Sequence, residues 1–212
     1  KEYADKYPDT FRVISKENGG HGSTINCGIR NAVGKYFKVV DGDDWVNTAD
    51  FVKLVEDLEK TESEYVFTNY YEYYDDVNRQ KAVDFPQFKD GTEYDFADVA
   101  NKVCIPMHAL VIKTSVLKDN NIVIDEKCFY VDVEYVMFPV PFVNKVTFFD
   151  LHVYMYRLAL STQSVSILGF QKHINDHLRV TFHMFDFYRD YISSDKADSA
   201  KADYMRTCIA DL

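Results

Sequence analysis

The chain has 212 residues, 47% of them apolar, with 16 Phe and 16 Tyr, which is enough to build one sizeable core or one domain with an appendage. Its formal charge is −10 and its Lys and Arg are not clustered, which excludes a surface built to track nucleic-acid phosphates. The composition also excludes long disorder, and no apolar run approaches the ~20 residues that span a bilayer.

Lys1 to Tyr7 reads as the tail of a helix, Pro8-Asp9 as a turn, and Phe11 to Ile14 as a short strand. A chain that opens in this way, without Met, is expected to begin inside a domain. A glycine-rich loop from Glu17 to Ser23 precedes a helix over Ser23 to Val33, with Ser23 as its cap and Gly34 closing it. Tyr36 to Val40 is a strand that ends in Asp41-Gly42-Asp43-Asp44. Asn47 or Thr48 caps the next helix, in which Phe51, Val52, Leu54, Val55 and Leu58 make an apolar face. Tyr65 to Tyr70 is again a strand. This alternation predicts an α/β sheet with parallel crossovers.

Residues 79–96 read as a hairpin or loop, and Phe96 to Val103 as a short helix. Ala109 to Ile112 is a strand, and Thr114 begins a short helix that ends near Asn120-Asn121. Tyr130 to Phe138 is helical until Pro139 and Pro141 stop it. Val146 to Phe149 and Val153 to Tyr156 are strands. From Phe170 to Ile192, one apolar series (Phe170, Ile174, Leu178, Phe182, Phe185, Ile192) runs beside a second (Val180, Met184, Phe187, Tyr191), which predicts a helix buried on two sides. After Ser193-Ser194-Asp195 a last amphipathic helix follows. The four cysteines, Cys27, Cys104, Cys128 and Cys208, form no CxxC pair and fit free thiols in a reducing compartment. With no signal-peptide pattern at its start, the chain is expected to be cytoplasmic, with peripheral contact at the inner face of a membrane and self-association left open.

Three motifs carry chemistry. In an extended segment Asp41 and Asp43 project to one side, where two carboxylates hold a hard cation such as Mg²⁺ with phosphate oxygens completing its shell. Gly42 leaves room for a ligand beside the backbone. The same tetrapeptide also reads as an acidic turn before a helix, and Trp45 reads as core. Asn18-Gly19-Gly20 before a helix offers free N–H groups to an anion, or is simply a turn. In Phe129 to Glu134, an acid on a short helix among aromatic residues suits a general base, or else caps the helix; Asp132 and Glu134 cannot share a helical face, so one points inward and the other to solvent. His173 and His177 stand four apart, but Ile174 takes the place of the Glu in an HExxH zinc motif.

Together, Asn18-Gly19-Gly20 with Ser23 and Asn26-x-Gly28, then Gly34-Lys35-Tyr36 and Asp41-Gly42-Asp43-Asp44-Trp45, resemble the family 2 glycosyltransferases of GT-A fold. Tyr130-Val131-Asp132, Tyr156-Arg157 and the loop Ser161 to Ser166 continue the likeness, which covers roughly residues 1–167. The resemblance implies a GT-A-like (Rossmann-like) α/β domain over 1–167, a mixed sheet flanked by helices without its first strand-helix-strand elements, followed by a helical extension over 168–212. It implies inverting, metal-dependent transfer from a nucleoside diphosphate sugar to a hydroxyl of a carbohydrate, lipid-linked or polymer acceptor. Asp43 and Asp41 would bind Mg²⁺ or Mn²⁺. Asn18, Gly19, Gly20, Asn26, Asp41 and Asp43 would bind the donor, and Asp132 would be the base. His108, Arg157, Ser161, Thr162, Gln163 and Ser164 would line the acceptor or diphosphate side. The sequence departs from the family in three ways: Ile25 replaces an Arg, Val131 replaces a Glu, and the front elements are missing. These departures motivate the alternative of a non-catalytic binding or scaffolding module of the same fold.

Overall fold

The computed structural model describes residues 1–158 and 167–212. Helix α1 (Glu2–Lys6) leads into an extended segment, and α2 (Gly20–Asn31) follows. Strands β1 (Tyr36–Phe37) and β2 (Trp45–Val46) flank the Asp41 turn, and α3 (Thr48–Lys60) comes next. Then come β3 (Tyr65–Tyr74), β4 (Arg79–Val83), β5 (Thr92–Asp95), α4 (Phe96–Ala100), β6 (Leu110–Lys113), α5 (Thr114–Asp119), α6 (Asp132–Met137) and β7 (Lys145–Leu158). Helices α7 (Ile167–Lys172), α8 (Ile174–Ile192) and α9 (Ser199–Asp211) complete the described chain.

The central path runs β1-β6-β3-β7-β2, with β4 on β3 and β5 on β7. The sheet is mixed, as expected, but among the described strands the expected run of parallel crossovers is replaced by one parallel pair, β3 with β7, and the other pairs are antiparallel. Local periodicity reports which residues face a core, not which strand lies alongside. The expected strand over 36–40 keeps only two residues in the sheet, because only Tyr36 and Phe37 find partners, on Lys113 and Ile112. The expected strand over 11–14 is absent: Phe11, Val13 and Ile14 are exposed in irregular chain. A strand requires a partner for its N–H and C=O groups, and this segment pairs with none among the described strands.

Strand alternation divides the core. Tyr65 and Phe67 face the main cluster, whereas Val66 between them faces the smaller one, with Leu54 of α3. Asn47 caps α3, its Oδ1 accepting the N–H of Ala49 at 3.1 Å and of Asp50 at 3.4 Å. The cap of α2 is not Ser23 but Gly19, and the Ser23 hydroxyl instead donates back to the Gly20 carbonyl at 2.8 Å. The glycines there serve packing. Gly20 holds φ of +80°, and a Cβ on Gly22 would stand 1.9 Å from the Asp125 carbonyl oxygen.

The helical extension shares the main core rather than forming one of its own, since Val180, Met184, Tyr204 and Met205 pack with Tyr65 and Phe67 in a single cluster. Helix α8 is not buried on two sides. Val180, Met184 and Tyr191 go inside, but Ile174, Leu178, Phe182, Phe185 and Ile192 remain exposed, because one helix face is all that fits against the body of the domain. No helix among the described residues is long and apolar enough to cross a membrane.

Candidate active site

The Asp41 segment leaves β1 and turns. The Asp44 N–H donates to the Asp41 carbonyl at 3.2 Å, so residues 41–44 form a turn rather than an extended run. In a turn the carboxylates that converge are those three residues apart. One ligand atom each from Asp41, Asp44 and His108 lie within 4.8 Å of one another, whereas Asp43 is exposed on the turn. The backbone here turns rather than extends, which brings Asp44 to Asp41, and Asp43 still lines the same cleft as Asp41.

Each partner is held from a different element. Tyr154 of β7 bridges the turn: its hydroxyl oxygen accepts the Asp41 N–H at 3.1 Å and its O–H donates to Asp44 at 2.5 Å. The Arg157 N–H donates to the other Asp44 oxygen at 2.8 Å. His21, in the first turn of α2, places Nε2 at 3.0 Å from Asp41. His108 stacks on Tyr156 with ring centroids 3.8 Å apart. Lys38 points inward and donates to the carbonyls of His108 at 2.8 Å and Leu110 at 3.2 Å, so it ties the strand before the turn to the segment that carries His108.

These environments shift the titrating groups. Burial alone would push Asp41 up, but its hydrogen bond and charge interaction with His21 hold it below 3.8. The same pairing raises His21 above 6.5. Burial, only partly offset by Tyr154 and the Arg157 N–H, raises Asp44 to about 6. Burial lowers His108 to about 4, so its ring is neutral at physiological pH. It also lowers Lys38 to about 7.

Asp132 opens α6 and lines the same cleft of about 310 Å³ as His21, Asp41, Asp43, His108 and Tyr156. Burial raises its carboxyl above 3.8. Glu134 does not face solvent. It is fully buried, accepts the Asp125 N–H at 2.8 Å and lies 3.0 Å from His183 Nδ1. Both acids of this helix therefore point inward, in different directions, because α8 covers the face on which solvent was expected.

The other expected site residues separate into two groups. Asn18, Gly19 and Gly20 line a neighbouring cleft of about 410 Å³ that shares His21 and Phe129 with the first. Asn26 is elsewhere: its Nδ2 donates to the Ile124 carbonyl at 2.8 Å and its Oδ1 accepts the Ile124 N–H at 2.9 Å. Its Nδ2 also donates to the Glu126 carboxylate at 3.1 Å, so the buried amide has nothing left for a donor sugar and its role is to clamp the loop before α6. Asn26→Leu should therefore cost about 2–4 kcal/mol by stranding both Ile124 groups, measurable as a lowered denaturation midpoint. The Arg157 side chain reaches Asp75 at 3.1 Å and lies 5.9 Å from the Trp45 ring. Trp45 is not core; it is 37% exposed and meets Tyr73 edge-on. Ser161, Thr162, Gln163 and Ser164 lie outside the described residues. His173 and His177 make no joint site, since His177 Nε2 bonds the Leu212 carbonyl at 2.8 Å and His173 pairs with Asp176 at 3.4 Å. Sequence reading missed His21, Tyr154 and Lys38 and gave Asp44 no role of its own within the motif, although a His directly after two glycines that open a helix was a usable signal.

Several known proteins resemble this chain. The uncharacterized glycosyltransferase EpsJ of Bacillus subtilis (strain 168) is 41% identical over 71 residues, 34% of this chain and 20% of that protein. The minor teichoic acid biosynthesis protein GgaB of the same organism is 36% identical over 64 residues, 30% of this chain and 7% of that protein. The structure of S. aureus TarS 1-349 in complex with UDP-GlcNAc superposes with a TM-score of 0.65 at 16% identity, covering 99% of this chain and 58% of that one. The chain thus has the fold of TarS, and it spans only part of each of these relatives. Residues 1–120 match the profile of glycosyl transferase family 2, and the chain belongs to that family.

Proposed function

We propose that this chain transfers a sugar from a nucleoside diphosphate sugar to an acceptor hydroxyl, with inversion and with Mg²⁺ or Mn²⁺ at the Asp41 turn. The observation that carries the reading is the meeting in one cleft of Asp41, Asp43, His108 and the raised-pKa acid Asp132. TarS, which has the same fold, has been solved with UDP-GlcNAc and with UDP.

The residues present fit a cation. Three ligand atoms mutually within 4.8 Å suit one ion of ordinary coordination radius, and His108 is in the neutral form that ligates. Asp41, Asp44 and His108 would hold it, with Asp43 beside them on the turn. When bound, the cation supplies positive charge against the leaving diphosphate. Asp41 accepts a hydrogen bond from His21 Nε2, which keeps its carboxylate ionised at neutral pH. Asp132, across the cleft, takes the acceptor proton as its oxygen attacks.

The non-catalytic alternative keeps one motive and loses another. Val131 is fully buried in the main core, whereas Ile25, 3% exposed, lines a cleft that also contains His21 and Asp41. Release of nucleoside diphosphate from a panel of nucleotide sugars tests the proposal. EDTA should reduce release to background, and added Mn²⁺ or Mg²⁺ should restore it; release that persists in EDTA rejects the metal, and no release with any donor rejects the transferase.

A further inference from the structure

A second cleft adjoins the first. It is lined by Met107, His108 and Asp132, which also line the Asp41 cleft, so these three side chains form a wall between the two spaces. One side of Asp132 thus faces the carboxylate turn and the other faces this second space. At about 180 Å³ the second cleft is well below the ~300–1,000 Å³ of sites that enclose a whole ligand such as a nucleotide sugar. It suits one end group.

Its chemistry is specific. Ile105, Val133 and Val136 give it an apolar floor, and Cys208 and Asp211 of α9 close its far side beside Cys104. The charged side chains among its described lining residues are two carboxylates, Asp132 and Asp211, with no Lys or Arg. A phosphate placed there would meet two carboxyl groups and no cation, and its desolvation would go uncompensated. A methyl group would gain contact with the valines and the isoleucine.

We infer that this cleft receives the acceptor, and that the acceptor's reacting end is an uncharged sugar whose substituent ends in a methyl group, such as an acetamido group, not a phosphate-bearing unit. The inference rests on the transferase reading and adds the acceptor class to it. Helix α9 is then part of the substrate wall. The arrangement also explains why His108 and Asp132 are shared: the acceptor hydroxyl meets Asp132 from the α9 side while the donor lies on the Asp41 side.

Cys104 reports on this cleft without any need for turnover. It is half-buried on the rim, 3.3 Å from the Cys208 sulfur, whereas half-buried Cys27 on α2 lies elsewhere and serves as the internal control. The rate of iodoacetamide alkylation at each cysteine, read by peptide mass spectrometry on the full chain, is measured alone, with methyl N-acetyl-β-glucosaminide and with glucose 6-phosphate. The neutral glycoside should slow Cys104 at least about threefold and leave Cys27 unchanged, and the phosphate should do nothing. Val133→Trp should abolish the protection by filling the floor. Asp211→Lys, at an exposed position that does not threaten folding, should let the phosphate protect Cys104 as well. Equal protection by both compounds in the parent chain, or none by saturating neutral glycoside, overturns the inference. Calorimetric titration with UDP-sugars in Mn²⁺ keeps the two ideas apart. Donor binding without Cys104 protection defeats only the acceptor assignment, and protection without donor binding defeats the transferase reading.

Discussion

Asp132→Asn should lower turnover by about 10²–10⁴-fold, the range for loss of a general base, while donor affinity and folding stability are kept. The two halves of this expectation have separate causes. Asn cannot accept the acceptor proton, so the chemical step suffers. Burial already disfavours the charged form of Asp132, which is why its carboxyl sits above 3.8. The sign of the linkage follows. A folded-state pKa raised above the unfolded value means that stability is greatest at pH below the unfolded value and is lost as pH rises through the folded one. Above that folded value the ionised Asp132 therefore weighs against folding, and a neutral Asn removes that cost. The variant should melt at or above the parent temperature. A purely structural acid would give the opposite pattern, a fall in melting temperature alongside activity. The pH profile gives a second check: parent turnover should fall as pH is lowered through the raised Asp132 value, and Asp132→Asn should lose that limb. Unchanged turnover in the variant removes Asp132 from the mechanism.

Phe67→Ala should cost about 3–5 kcal/mol, the usual range for deleting a fully buried aromatic ring, and should lower the melting temperature by roughly 10 °C for a chain of this size. Phe67 is 0% exposed near the start of β3. Its ring centroid lies 4.9 Å from Phe148, 5.1 Å from Phe88 and 5.5 Å from Phe85. No one of these rings can collapse into the space without leaving the other two, so the cavity persists. Phe67 is also paired to Phe148 in the parallel ladder between β3 and β7. The same β7 carries Tyr154, which positions Asp41 and Asp44. Loss of cooperativity near the site should therefore accompany the loss of stability. Equilibrium denaturation followed by circular dichroism measures the effect, and a cost below about 1 kcal/mol would mean that the aromatic cluster repacks.

Much of this protein was legible before any coordinates. The caps and breakers are local chemistry, so Asn47 at the start of α3 and the prolines after α6 could be read directly. The glycine loop, the acidic turn and Asp132 were recognisable as a set because their types and order, not their three-dimensional relation, carry the family likeness. Period-two and helical spacing found most of the elements from β3 onward, including both halves of the long β7.

What the sequence could not carry is whatever depends on residues far apart in the chain. Asn26 looked like a ligand because an amide beside a glycine loop is ambiguous; Ile124, 98 positions away, consumes it. Glu134 looked free to face solvent until α8 brought His183 over it. Asp44 joined Asp41 and His108 because a turn, fixed by Tyr154 some 110 residues later, replaced an extended backbone. By itself, then, the sequence determined the kinds of elements, their order and the chemical groups available, since these follow from side-chain type and local backbone preference. Tertiary structure alone decided strand direction, which face of α8 is covered, and which carboxylates share a cleft. Those outcomes depend on how surfaces close against one another, and a buried polar group takes whatever partner the packing brings within hydrogen-bond reach.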